Sequence, residues 1–381
     1  MTDIDTIKDI INDAADYIET GKAKAQKVKV GLTLLGSEHG PQELIRGARE
    51  AAKDLDDLDI SLIGPKLTDD FCTYEADSED DVHTIMEKLL DSGELDAALT
   101  MHYNFPLGVS TVGRLVSPAN GKEFFLSTTT GTSSTDRVKA LTLNTVYGIA
   151  VAKSLGNSKP TVGILNIDGA RQAEKNCKQL KDNGFPINFA QSVRKGGGAV
   201  LRGNDILTAS ADVIVTDTLT GNLLNKLMSS FTSGGTYEVT GYGYGPGVGE
   251  NFDKTVLILS RASGSPIVKN AIKYAAELVK GKLMMHVADE LKSAKSAGLT
   301  DILETMPGVK DEGAKEIKVT KKVVTKDIAG VDILVLEDAV KALKLNGIYA
   351  ESGMGCTGPV ILVADEDEQP ARKILIDEKY L

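Results

Sequence analysis

"KVKVGLTLLGSEHGPQELIRGAREAAKDL", residues 27–55, decides the fold. Its first ten residues are aliphatic and β-branched and end at a glycine. The last fifteen place apolar residues at helical spacing behind Pro41, which suits the first helical position because its missing N–H would be unbonded there anyway. A strand, a glycine loop and a helix in that order make half of a βαβ unit. The alternation recurs. "DISLIG" (59–64) is followed by an acidic helix near 79–92, then by "LDAALTM" (95–101) and "EFFLST" (123–128). A long helical stretch covers 136–155. "TVGILNI" (161–167) precedes a helix near 170–183, and "INFAQ" (187–191) and "DVIVTD" (212–217) precede one near 221–231. "TVLILS" (255–260) leads into a helix at about 266–278. Short apolar runs alternating with longer helical patterns predict an α/β fold, a three-layer αβα sandwich around a mostly parallel, doubly wound sheet.

After residue 282 the sequence becomes lysine-rich and weakly apolar before it returns to pattern. "ILVLEDAVKALKLNG" (333–347), "PVILVAD" (359–365) and "EQPARKILIDEKYL" (368–381) read as helix, strand and helix of a small C-terminal α+β unit. The expected division is a helical N-terminal extension over 1–26, a main α/β domain over 27–282 and the C-terminal unit over 283–381. The glycine- and tyrosine-rich segment "GGTYEVTGYGYGPGVGEN" (234–251) reads as a mobile loop whose tyrosines could cover a substrate, or as an ordinary linker.

The chain has 381 residues, 41% of them hydrophobic, enough for a sizeable core, and a formal net charge of -11. That acidity argues against nucleic acid and against an anionic membrane surface. The sequence has no apolar run long enough to span a bilayer, and residues 1–26 lack the basic-then-apolar order of a signal peptide, so a cytoplasmic location is expected. Three widely spaced cysteines and four histidines, none at i, i+4, give neither a disulfide framework nor a metal centre. No GxGxxG motif follows the first strand, which weakens a nucleotide-dependent dehydrogenase reading.

In parallel α/β sheets ligands bind where strands end and loops begin. Gly36, Ser37 and His39 follow the first strand and precede a helix N-terminus, an arrangement that cradles phosphate and equally forms a simple turn. His102 and Asn104 follow "LDAALTM"; a histidine there serves as a base or orients phosphate, or contacts its own backbone. Ser127 and Thr128 open the hydroxyl-rich run "STTTGTSSTDR" (127–137), which suits phosphate oxygens or a helix cap. Asn166, Thr220 and Asn222 end two further strands as ligand contacts, whereas Asp168 and Asp217 would repel phosphate and are assigned to loop geometry. Arg194, Lys195 and Arg202 surround three glycines in a local basic spot, or simply a solvated loop. Cys356 lies in "GMGCTGP" (353–359). Gly353, Gly355, Thr357 and Gly358 would form a bare backbone loop whose N–H groups favour a thiolate and stabilise an oxyanion. The alternative is a free cysteine buried in a glycine turn. Cys72 and Cys177 read as structural.

Several of these loops resemble the phosphate acyltransferase family of phospholipid synthesis: "LLGSEHGPQELIRGA" (34–48), "VGILNIDGARQAEKN" (162–176), "ILTASADVIVTDTLTGNLLNKLMSS" (206–230) and "TVLILSRASGSPIVKNAI" (255–272). The resemblance covers about 28–281 and implies acyl transfer from acyl carrier protein to inorganic phosphate. Two departures stand out. "TMHYNFPLGVSTVG" (100–113) replaces the family's small-residue loop, and about a hundred residues follow the point where the family ends. That added part, with "GMGCTGP", and the whole length resemble the family of alpha subunits of protein C from glycine, sarcosine and betaine reductase complexes. This second resemblance implies an acetyl thioester on Cys356, released to inorganic phosphate as acetyl phosphate; His102 is the candidate catalytic partner on its strand-end position alone. It implies no bound cofactor or metal. The implied partners are a larger thiolase-like beta subunit and selenoprotein A, with a homodimer contact. The rival expectations are direct transfer from an acyl carrier protein, and a non-catalytic scaffold.

Overall fold

The computed structural model describes residues 27–194, 198–304, 319–331, 335–355 and 358–381. The expected N-terminal helix, Lys195, Cys356 and Thr357 lie outside the described residues. The strands are β1 (Val28–Thr33), β2 (Leu58–Ile63), β3 (Cys72–Tyr74), β4 (Ala97–Thr100), β5 (Phe105–Pro106), β6 (Val109–Val116), β7 (Glu123–Thr132) and β8 (Thr161–Leu165). They continue with β9 (Asn188–Phe189), β10 (Val200–Leu201), β11 (Val213–Val215), β12 (Gly245–Val248), β13 (Val256–Ile258), β14 (Lys326–Ala329), β15 (Ala350–Gly355) and β16 (Gly358–Val363).

Twelve strands form one sheet in the order β10–β8–β11–β7–β6–β12–β13–β4–β1–β2–β3, with β9 beside β8. Both flanks are parallel, as the alternating pattern predicts. The three central pairings, β7–β6, β6–β12 and β12–β13, are antiparallel, so the two flanks run in opposite senses. The helix Pro41–Asp54 has Pro41 in its first turn and buries Leu44, Ile45, Ala48 and Ala51 against the helix Ser265–Lys280. Full burial of Leu44 and Ile45 stabilises the fold by about 1.5–3 kcal/mol each. The helix Arg137–Ser154 is buried along nearly all its length and packs against the helix Leu283–Ser296.

Two segments differ from their sequence reading. The glycine-rich stretch 234–251 is no mobile loop throughout, because it supplies the central strand β12. In β12, Gly245 and Gly247 serve close approach rather than flexibility. A Cβ on Gly245 would overlap the Val112 carbonyl, and one on Gly247 would overlap the Phe105 ring. The hydroxyl-rich run also departs from a loop, since β7 continues to Thr132. Its threonines suit a strand, and β6 pairs with it along that length.

Residues 319–381 add a four-stranded sheet in the order β14–β16–β15–β5, with its own buried core of Ile328, Leu336, Val340, Leu343, Ile361 and Val363. Its fourth strand, β5, belongs to the main chain between β4 and β6.

Candidate functional site

At the carboxyl end of β1, Gly36 and Gly40 take φ values of 90° and 79°, where glycine is favoured. The loop between them is tied to the β13 loop by the Glu38 N–H, which donates to the Arg261 carbonyl at 2.8 Å. Ser37 Oγ accepts from the His39 N–H at 3.2 Å, and the His39 ring stands edge-on to Tyr237 at 5.0 Å. Tyr237 donates to Glu43 in the first turn of the following helix. One tyrosine of the 234–251 segment therefore does sit over this loop.

β4 ends at Thr100, whose hydroxyl donates to the His102 carbonyl at 3.0 Å and lies 3.4 Å from His83 Nε2. The two imidazole rings are 6.0 Å apart. Burial first, and then the neighbouring His83, hold the His102 pKa below its ordinary value of 6.5. A cavity of about 10 Å³, room for one water, opens between Thr33, Gly36, Glu79, His83, His102 and Arg261. Arg261 lies 3.7 Å from Glu79. Thr33 Oγ1 and Asn104 Oδ1 are buried without a hydrogen-bond partner.

Segment 101–108 runs from this end of β4 to the end of β7, where the Gly108 N–H donates to the Thr132 carbonyl at 2.9 Å. An aromatic clamp fixes it, with Phe105 at 4.9 Å from Tyr103 and 5.3 Å from Phe252. Tyr103 donates to Glu87, which also pairs with Lys254. Within the segment, β5 pairs antiparallel with β15, Gly353 opposite Pro106 and Met354 opposite Phe105, and the Leu107 N–H donates to the Ser352 carbonyl at 2.9 Å. β15 and β16 form a hairpin in which Gly355 faces Gly358. The chain positions between those glycines are Cys356 and Thr357.

Beyond Thr132 a cavity of about 170 Å³ is lined by Ser133, Ser134, Thr135, Asn144, Thr218 and Leu219. Asn144 Oδ1 accepts from Ser133 at 2.8 Å and from Ser110 at 2.9 Å. Ser127 and Thr128 do not line it. Both are fully buried in β7, where Ser127 donates to the Asn144 carbonyl at 2.8 Å and Thr128 to the Thr111 carbonyl at 2.9 Å. The hydroxyls facing the cavity are those a few residues further on. Thr220 also has its hydroxyl engaged, donating to Asp217 Oδ2 at 2.8 Å, while Asp217 caps the helix Thr218–Ser230, which starts three residues before its expected position. Asn222 is half-buried on that helix, and Asn166 is exposed at the end of β8. The structure thus brings Gly36, Ser37, His39, His102 and Asn104 to one flank, next to the strand that leads to Cys356. Asn166, Thr220 and Asn222 belong to the other flank.

Sequence reading missed four side chains here. Arg261 and Ser260 follow the end of β13 just as His102 follows β4, so the strand-end rule that selected His102 also points to them. His83 and Lys226 sit mid-helix with no local signal. Lys226 Nζ donates to Ser260 Oγ at 3.1 Å and lies 3.5 Å from Glu238. Burial opposes its charge, but Tyr244 and Glu238 hold its pKa above the ordinary value. Glu238 Oε2 and Ser263 Oγ nearby are buried without partners. Among the described residues no cluster of three or more His, Cys, Asp or Glu is placed to hold a metal ion, and no helix is long and apolar enough to cross a membrane.

Parallel flanks, strand-end loops rich in polar groups and a second sheet locked onto one of them define an α/β protein with a candidate site at its strand ends. The chain belongs to the fatty acid synthesis protein family, whose model matches residues 28–362. It is 54% identical over 366 residues to the glycine/sarcosine/betaine reductase complex component C subunit alpha of Peptoclostridium acidaminophilum, covering 95% of both chains. It is 25% identical over 237 residues to a phosphate acyltransferase of Thermosipho africanus, covering 52% of this chain and 70% of that one. A phosphate acyltransferase of Bacillus cereus is 26% identical over 264 residues, covering 54% and 77%. Among solved structures, a 4-hydroxythreonine-4-phosphate dehydrogenase from Klebsiella pneumoniae aligns at a TM-score of 0.37 and 11% identity, over 69% of this chain and all of that one. At that level nothing about function transfers.

Proposed function

We propose that the chain moves an acetyl group from a thioester on Cys356 to inorganic phosphate, giving acetyl phosphate, as the alpha subunit of a component C in a glycine, sarcosine or betaine reductase complex. One observation carries the reading. β15, the strand that runs into the cysteine, is hydrogen-bonded to β5, the strand that continues from His102. The loop 100–113 and the C-terminal sheet are thus one structural unit. The named relatives support acyl transfer involving phosphate in general, one as a component C alpha subunit and the others as phosphate acyltransferases.

In this reading Cys356 thiolate attacks the incoming acyl carbonyl carbon, and the donor's leaving group departs. Backbone N–H groups around Gly353, Gly355, Thr357 and Gly358 stabilise the oxyanion. A phosphate oxygen then attacks the thioester carbonyl, the C–S bond breaks, and the thiolate is regenerated. His102, neutral at pH 7, accepts the proton from phosphate and later returns it to solvent. Arg261, with Gly36, Ser37 and His39, attracts and orients the anion, and Asn104 offers a further contact. The cavity beyond Thr132 suits the arm that delivers the acyl group, from selenoprotein A by way of a thiolase-like beta subunit. In this reading the chain works in the cytoplasm.

Incubation with acetyl phosphate followed by peptide mass mapping tests this by the reverse reaction. A hydroxylamine-labile acetyl adduct on Cys356, absent from Cys356→Ala, is the expected result. Acetyl phosphate formation that survives Cys356→Ala would remove the thioester and return the chain to direct transfer from a carrier.

A further inference from the structure

The helix Glu79–Asp91 opens with three acids, and two of them are engaged in holding the fold. The Asp81 N–H donates to Ser78 Oγ at 3.1 Å, and its carboxylate accepts from the same hydroxyl at 2.7 Å. Asp80 pairs with Lys326 of the C-terminal sheet at 3.0 Å. Glu79 has a different setting. Its Oε2 lies 3.7 Å from an Arg261 guanidinium nitrogen, a loose pair between two exposed groups that contributes little to stability. Its Oε1 would stand 3.5 Å from a Cβ built on Gly36. The carboxylate therefore sits between the β1 loop and Arg261, the two elements that hold the anion in the acetyl-transfer reading. The cavity they border has room for one water. Phosphate, with four oxygens around its phosphorus, enters only if a wall moves. Of the residues lining the cavity, only Glu79 and Arg261 are exposed, whereas Thr33, Val82, Thr100 and Met101 are buried. Thr33 Oγ1 is buried there without a hydrogen-bond partner, the mark of a polar site that takes a ligand or a water.

We propose that Glu79 gates this anion site: its carboxylate holds the place beside Arg261 and Gly36 that phosphate takes, and it turns out to solvent as phosphate enters. Three features make it the moving part. The first is chemistry, because a carboxylate and a phosphate present the same kind of oxygens to a guanidinium and cannot both occupy one place beside it. The second is freedom. The neighbouring acids keep the helix start and the C-terminal contact in place, so Glu79 can leave Arg261 without unwinding the turn. The third is access, since the other walls of the cavity belong to β1, β4 and the buried side of the helix. An internal competitor of this kind lowers the apparent affinity of every anion by the same factor, set by the fraction of molecules in which it has moved aside. The inference rests on the acetyl-transfer reading for the identity of the anion and for its place beside Arg261.

Titration calorimetry of the full chain with inorganic phosphate at fixed ionic strength tests it. Glu79→Gln keeps the shape and removes the charge, and it should bind phosphate about three- to tenfold more tightly than the wild type. Sulfate should gain by the same factor, because the displaced carboxylate competes with both anions alike. Asp80→Asn, one residue on and directed to Lys326, should bind as the wild type does. Arg261→Gln should weaken phosphate binding about tenfold or more. Unchanged binding by Arg261→Gln would remove the anion site of the acetyl-transfer reading, and the gate with it. Weaker binding by Arg261→Gln together with unchanged or weaker binding by Glu79→Gln would leave that site standing and overturn the gate alone. A gain for phosphate without one for sulfate, or an equal gain from Asp80→Asn, would overturn it as well.

Discussion

His102 is the residue on which the proposed chemistry turns, and its environment fixes how it responds to pH. Burial and His83 make protonation harder in the folded protein than at the ordinary 6.5. The imidazole is therefore mostly neutral at pH 7. Activity that uses it as a proton acceptor should show an acidic limb whose midpoint lies below 6.5. His102→Gln should remove that acidic limb and lower kcat by about 10²–10⁴-fold. Stability follows the same sign. The unfolded chain takes up this proton near 6.5 while the fold resists it, so unfolding binds a proton between the lowered pKa and 6.5. The wild type should lose stability as pH drops through that window and hold it above. The variant should lack that loss, which denaturant midpoints at several pH values would show. A wild-type limb already falling at pH 7 or above would contradict the assignment. The remaining described cysteines behave as their surroundings dictate. Cys177 is fully buried, and burial pushes its thiol up to about 12, whereas Cys72 is exposed on β3. Neither is near the strand ends that carry His102.

At the scale of elements, the junction of β5, β12 and the aromatic clamp decides where the candidate site sits. Phe105 is 1% exposed and lies between Tyr103, Phe252 and the bare backbone of Gly247. Gly247→Ala should push the Phe105 ring aside and destabilise the protein by about 1–3 kcal/mol, as overpacking does. Phe105→Leu should cost stability on its own, but the double variant should cost less than the sum, because the smaller side chain makes room for the new methyl group. Chemical denaturation of the four proteins measures this, and additive effects would show that the two residues do not press on each other. Sequence reading could not find this junction. Glycines in "GYGYGPGVG" satisfy flexible loops and close backbone approach equally well, and only the neighbour across the sheet distinguishes them. The same holds for "STTTGTSST", where hydroxyls that suit phosphate also suit a buried strand that turns them onto the carbonyls of its neighbours. Strands and helices with a clear period, such as 27–55, were legible because their apolar spacing has one structural solution.

At the scale of the whole molecule, the resemblance of separate segments indicated a main α/β region and an added part, and the candidate residues at the ends of β1 and β4 followed from strand-end logic. What could not be read was that the added part takes a strand from the main sheet's own connection, since β5 is two residues long and has no periodicity. This architecture makes a last prediction. The buried apolar clusters of the main sheet include no residue beyond Ile302, and the C-terminal core includes none before Ile328. Among the described residues, they are joined by backbone pairing at β5–β15, the Leu107–Ser352 hydrogen bond and surface pairs such as Lys326–Asp80 at 3.0 Å. Exposed ion pairs add little, and a few backbone hydrogen bonds contribute about 0.5–1.5 kcal/mol each. A chain ended at Glu304 should therefore fold cooperatively, with a melting temperature within several degrees of the full protein. It should form no acetyl phosphate, and amide exchange should quicken over residues 102–107, whose partner strand is gone, while β1 and β4 stay protected. Full activity in the shortened chain would show that the C-terminal hairpin takes no part in transfer. Failure to fold would show that the junction, and not the main core alone, holds the large sheet together.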